Sequence, residues 1–154
     1  KPLFVYLEAS EGALPPANPS TQGILYSNLT PELPFTPTHV ISARRTSDSG
    51  SADGPWNGLW ERNDQGQLAK ILRFSQNTQW WIAADQHTLS LRIPRDMLGN
   101  ATHLRLSAHV VNAAAANEWK DTIPSTHTPW NPSALGFYEI DLTGAHPVAN
   151  WTLR

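Results

Sequence analysis

Seven tryptophans stand out among the 154 residues of the chain, and three of them occupy settings where an indole ring could meet a ligand. Trp56 lies in Asp53-Gly54-Pro55-Trp56-Asn57-Gly58, Trp119 in Asn117-Glu118-Trp119-Lys120-Asp121, and Trp130 in Thr128-Pro129-Trp130-Asn131-Pro132. The polar, proline- or glycine-rich surroundings read as loops. A flat indole stacks on the apolar face of a pyranose ring, while neighbouring amides and carboxylates take the hydroxyls. Pockets of this kind need few but well-placed polar groups. The chemistry expected is sugar binding through Trp56, Trp119 and Trp130, with Trp81 and Asp121 in support. The competing reading is packing, because Trp carries a large apolar surface that a β core can use. Trp80 and Trp81 are adjacent in a strand-like run, so they point to opposite faces and one of them is core. Trp60, also on a strand-like run, is expected in the core.

Other chemistries find less material. Cysteine is absent, which removes thiol catalysis, cysteine-ligated zinc and disulfide scaffolding together. The six histidines, His39, His87, His103, His109, His127 and His146, show no metal-ligand spacing. His103 and His109 share the polar face of one strand, but six residues of strand rise separate them by ~20 Å, too far for one ion. Haem ligation would use an axial Met and His. The single methionine, Met97, sits in the apolar turn Met97-Leu98-Gly99 and reads as core. A glycosidase needs two carboxyls flanking the scissile bond. Glu61, Asp64, Glu118 and Asp121 lie near tryptophans and form the only shortlist, although loop carboxylates mostly face solvent or cap turns. No Gly-X-Ser-X-Gly elbow, phosphate loop or dinucleotide glycine pattern is present. The chain is therefore expected to be no enzyme and to carry no cofactor.

Composition bounds the setting. Charged residues make up 16% and the net charge is -2, which disfavours a duplex nucleic-acid binder with its basic stripe. No apolar run approaches the ~20 residues that span a bilayer. Disorder is disfavoured because hydrophobic residues reach 40% and recur in regular segments. Lys1 opens almost directly onto Leu3-Phe4-Val5-Tyr6-Leu7. The expectation is a single domain over 1–154, processed or excised from a longer exported protein. Asn-X-Thr sequons at Asn28, Asn100 and Asn150 would indicate a secreted glycoprotein in a eukaryotic source, and chance in a chain rich in Asn and Thr otherwise.

The elements that must position these residues are strands. Proline is excluded from helix interiors and central strands, so 13 prolines require many connections and little helix. Strand candidates are residues 3–7, 23–26, 39–44, 59–62, 68–74, 80–84, 88–93, 103–111 and a final 137–142. Asn63-Asp64-Gln65-Gly66 reads as a hairpin turn. Alternation is cleanest at Leu89, Leu91 and Ile93 against Ser90 and Arg92. It recurs at Leu104, Leu106, Ala108 and Val110 against His103, Arg105, Ser107 and His109. A period of two over nine residues is a half-buried strand. Pro94 to Gly99 fits one helical turn, with Pro favoured at its start and Gly at its stop. Ala113 to Ala116 follows a strand and reads as loop. The fold expected is all-β: an antiparallel β-sandwich, jelly-roll-like, of about nine strands with one short helical turn near 94–98.

Several of these pieces together resemble a known family. Phe4-Val5-Tyr6-Leu7-Glu8, with Leu33-Pro34-Phe35 and His39-Val40-Ile41, is similar to the start of a recurrent bacterial β-sandwich. Leu89-Ser90-Leu91-Arg92-Ile93-Pro94-Arg95-Asp96-Met97-Leu98-Gly99 resembles its central signature, and Trp119-Lys120-Asp121-Thr122-Ile123-Pro124 its later Trp, Asp and Pro element. The chain resembles the DOMON-like superfamily, which includes family-nine carbohydrate-binding modules and the C-terminal domains of glucodextranase and amylopullulanase. The resemblance implies an antiparallel sandwich that binds sugars, binds haem, or serves as an accessory module of secreted polysaccharide-active proteins. One departure is visible: where relatives tend to carry an acidic Asp-X-Asp stretch, this chain reads Glu8-Ala9-Ser10-Glu11-Gly12. Glu8 and Glu11 are thin for calcium, which takes six to eight oxygens.

The leading expectation is a non-catalytic, carbohydrate-binding module of a secreted or cell-surface bacterial protein. Its partners would be an oligo- or polysaccharide and a parent catalytic domain in cis, with no nucleic acid and no membrane span. The alternative is a structural accessory domain without ligand, its tryptophans all packing, and after it a haem-binding domain.

Overall fold

The computed structural model describes residues 3–9, 33–43, 57–63, 65–74, 80–82, 89–111, 119–123, 136–144 and 148–153. These form β1 (Leu3–Glu8), β2 (His39–Ala43), β3 (Gly58–Arg62), β4 (Leu68–Arg73), β5 (Trp80–Ile82), β6 (Leu89–Leu91), β7 (His103–Val111), β8 (Trp119–Ile123), β9 (Gly136–Asp141) and β10 (Val148–Leu153). The only helix among them is one 3₁₀ turn, Arg95–Leu98, between β6 and β7. The protein is all-β and antiparallel, as the alternation and the proline load require.

Eight strands make one sheet in the order β10-β9-β7-β1-β2-β3-β4, with β8 added beside β7, while β5 and β6 pair separately. Strand β1 lies between β2 and β7. Its side chains are buried on both faces from Phe4 to Leu7, which is why it reads as an unbroken apolar run rather than an alternation. The nine-residue β7 pairs with β1 along residues 105–110 of its inner edge. Its outer edge is shared: residues 103–106 pair with β9 and residues 108–111 with β8.

The two faces of the sheet carry different cores. On one, Val5, Leu7, Ile41, Leu59, Leu104 and Ala108 are buried together. Leu89 and Leu91 of β6, Ile93, Met97 and Leu98 cover them. Ser90 between the two leucines is exposed, as the period of two dictates. Gly99, at φ 65°, stops the 3₁₀ turn in the left-handed conformation that glycine tolerates. Its amide donates to the Asp96 carbonyl at 3.1 Å. On the other face Phe4, Tyr6, Phe35, Val40 and Phe137 form a second, aromatic core. Phe35 and Phe137 meet edge to face, with ring centres 5.9 Å apart.

The β3–β4 hairpin turns where Asn63 to Gly66 suggested. The Asn63 side-chain oxygen accepts from the amides of Gln65 at 3.1 Å and Gln67 at 2.9 Å, and Gly66 takes φ 77°. This is an Asx-type closure, the local bonding that favours Asn in turns.

Four expectations change. Residues 137–142 are not the final strand, because β10 pairs with β9 along its full length. Residues 119–123 are strand rather than loop. Both new strands border on partners that supply the ladder hydrogen bonds, and such pairing overrides weak local propensity. Strand β7 is not half-buried: His103 is exposed, but Ser107 and His109 are both fully buried on its polar face. The aromatic core on that side, with Tyr6 edge-on to His109 at 5.2 Å, encloses them. Trp60 is half-buried rather than core, with Lys70 Nζ 4.7 Å above its ring. Residues 23–26 and 113–116 lie outside the described residues.

Candidate functional site

Of the five residues expected to bind sugar, Trp56 and Trp130 lie outside the described residues. Trp81 is on β5, opposite Ser90 of β6. Trp119 and Asp121 are both on β8, so Trp119 is a strand residue and not a loop residue. Their register is uneven: Asp121 stands opposite Val110 and Trp119 opposite Val111, which leaves Lys120 as the extra residue of a β-bulge. A bulge bends and twists its strand locally and is common beside binding sites. Trp119 and Asp121 are thus brought together on one short strand. Trp81 belongs to the separate two-stranded sheet.

A feature that sequence reasoning missed lies between the sheet and β6. A cavity of about 390 Å³ opens there. That is within the ~300–1,000 Å³ of small-molecule sites. Ten described residues line it: nine are aliphatic, among them Val5, Leu7, Ile41, Leu91 and Leu104, and the tenth is Arg95. Arg95 is exposed, so the lining reaches solvent at its side chain. Its Nε–H donates to the Ala101 carbonyl at 3.1 Å, which holds the guanidinium in place. The alternation of Leu89, Leu91 and Ile93 marks these residues as inward-facing. It carries no signal for how far the two layers stand apart.

The polar groups on the aromatic face form local pairs. Arg105 bridges two carboxylates, with Nη1 3.1 Å from Glu8 Oε2 and Nε 3.2 Å from Glu139 Oε1. Glu8 is therefore engaged by a cation, which counts against its use as a calcium ligand. A void of about 10 Å³ beside this triad is lined by Glu8, His103, Leu104, Arg105 and Glu139. That is about the space of one water. Ser107 Oγ lies 3.2 Å from His109 Nε2 within the buried core. Burial pushes the Tyr6 phenol far above its usual range. It is a neutral structural group at any physiological pH. The Trp60 indole N–H donates to Ser42 Oγ at 2.9 Å, which anchors this ring to the sheet.

At the start of β2, Thr38 and His39 tie that strand to the end of β1. Thr38 Oγ1 accepts from the Ala9 amide at 2.9 Å, lies 3.3 Å from the Leu7 carbonyl and sits 2.8 Å from His39 Nδ1. Burial holds the His39 imidazole below its ordinary value, opposed in part by the Glu61 carboxylate 3.9 Å away. Glu61 is the one shortlisted carboxylate whose surroundings are described. It faces this histidine. No group of three or more His, Asp or Glu side chains that could hold a metal occurs among the described residues. No described helix is long and apolar enough to cross a membrane.

No family model matches the chain, and neither a curated protein nor a solved structure does. The resemblance to DOMON-like domains therefore rests on the motifs quoted above.

Proposed function

We propose that this domain is a non-catalytic carbohydrate-binding module of a secreted glycan-active protein. In this reading Trp56, Trp119 and Trp130 supply the stacking surfaces, with Trp81 and Asp121 in support. The observation that carries it is the concentration of indoles beside amides and carboxylates, seven tryptophans in 154 residues on an all-β scaffold. Strand β8 adds to the support. It puts an indole and a carboxylate two residues apart beside a bulge, the pairing of stacking and hydroxyl-binding groups that a sugar requires. The module would concentrate a catalytic domain in cis on a glycan, acting by stacking and hydrogen bonding and without bond chemistry.

Titration of intrinsic tryptophan fluorescence with maltose-, cellulose- and xylan-derived oligosaccharides tests the proposal. A saturable change with one class of sugar is expected, reduced at least tenfold in affinity by Trp119→Ala and by Trp130→Ala. Acrylamide should quench at least two indoles freely in the absence of sugar. A flat titration across the panel, with the indoles shielded from acrylamide, would instead identify a ligand-free accessory domain.

A further inference from the structure

We propose that the cavity between the sheet and β6 is a binding site for a medium-chain aliphatic carboxylate, a ligand class different from the sugar proposed above. Folded interiors pack to the density of organic crystals, with few voids larger than a water. The space between the sheet and β6, about 390 Å³ and open to solvent at Arg95, is instead the size of a small-molecule cleft. Its wall also specifies the chemistry of an occupant. The nine described aliphatic side chains offer no hydroxyl, amide or aromatic face, so a sugar placed here would leave most of its hydroxyls unbonded. A flexible hydrocarbon chain loses nothing by entering.

The single charged group in the lining selects the head. Arg95 is held through its Nε to Ala101, and no described residue accepts from its Nη groups. A guanidinium presents its free N–H groups in the fork geometry that matches a carboxylate. Being exposed, it would keep the anionic head at the solvent boundary while the tail lies against Leu7, Leu91 and Leu104. Size fixes the length. A dry cavity of ~150 Å³ accommodates the six carbons of benzene. On that scale the observed volume takes about fifteen non-hydrogen atoms, close to the roughly fourteen of dodecanoate.

The test is calorimetric titration of the full chain with sodium dodecanoate at submicellar concentration, with dodecanol and butyrate as parallel arms. Saturable binding of one dodecanoate per chain is expected, with a rise in thermal midpoint as ligand is added. Dodecanol should bind more weakly and butyrate should not bind. Arg95→Gln, an exposed change that leaves the core intact, should weaken dodecanoate by about 10- to 100-fold, the worth of a charge-assisted hydrogen bond. It should leave dodecanol unchanged. Leu91→Phe, which fills the space, should weaken both while far-ultraviolet circular dichroism stays that of the parent. The proposal is overturned if folded protein shows no heat and no midpoint shift with dodecanoate, or if Arg95→Gln binds it as tightly as the parent does. Sugar titration of the same variants reads the other site independently, so loss of one activity leaves the other interpretable.

Discussion

Replacing Gly58 by alanine should destabilise the sheet through one backbone contact that no side-chain rearrangement relieves. Gly58 is buried on β3, opposite Ser42 on one side and Arg73 of β4 on the other. A β-bulge follows at once, where Leu59 faces Leu72 but Trp60 faces Lys70, so Ile71 is the extra residue. A Cβ on residue 58 would overlap the Leu72 carbonyl oxygen and also lie 3.2 Å from the Lys70 Cδ and Cε atoms. The lysine stem can move away, but the carbonyl is fixed in the strand ladder. Overpacking of this kind costs ~1–3 kcal/mol. The alanine returns ~0.4–1 kcal/mol by restricting the unfolded chain. At the middle of both ranges the net expected loss is about 1.3 kcal/mol, and at ~2–4 °C per kcal/mol for a chain of this size the thermal midpoint falls by about 3–5 °C. Urea unfolding followed by tryptophan fluorescence should show a lower midpoint with an unchanged slope. A double-mutant cycle with Lys70→Ala assigns the cause. If the carbonyl is responsible, the two changes add to within ~0.5 kcal/mol. Restoration of parental stability by Lys70→Ala in the Gly58→Ala background would refute the backbone assignment.

Two further outcomes follow from polar groups at strand ends. Thr38→Val keeps the side-chain shape but removes the acceptor for the buried Ala9 amide, so a loss of about 1–3 kcal/mol is expected in urea unfolding; a loss below a few tenths would mean that the amide finds another partner. Acidification should destabilise the protein in two separate windows, read from thermal midpoints between pH 8 and 2. Burial lowers the folded-state affinity of His39 for a proton, so the unfolded chain protonates first and stability falls as pH drops below the ordinary histidine value of 6.5. Hydrogen bonds from the Thr143 hydroxyl and amide hold the Asp141 carboxyl below its ordinary value of 3.8, so its contribution is present above that value and is lost as pH falls further. His39→Gln should flatten the first window and leave the second; an unchanged slope between pH 7 and 5 would remove His39 as the cause.

Much of the scaffold is legible in the residues because it depends on neighbours along the chain. The alternation of Leu89, Ser90 and Leu91 corresponds to β6, with the leucines packed inward and the serine exposed. Pro94 and Gly99 bracket the 3₁₀ turn, and Asn63 with Gly66 closes the hairpin, because the bonds involved span a few residues only. The misreadings share a cause. Trp119 to Ile123 is mixed in polarity and reads as loop, yet β7 offers its outer edge to exactly this segment only after folding. Val148 to Leu153 becomes a strand in the same way, through pairing with β9. His109 and Ser107 look solvent-facing in the pattern, but a second aromatic core lies on their side of the sheet. For the candidate sugar set, local context picks out the indoles, and the strand pairing adds that Trp119 and Asp121 share β8.

The order of residues by itself determined that this chain is all-β, that Leu89 and Leu91 face inward, and that thiol and disulfide chemistry have no cysteine to use, because those depend on composition and on a period of two. Only the tertiary structure decided that one sheet buries both of its faces and that β7 is shared by two partners. It alone set the distance between the sheet and β6, which leaves an aliphatic space beside Arg95. Spacing between layers is a property of how strands from distant parts of the chain stack, and no single segment encodes it.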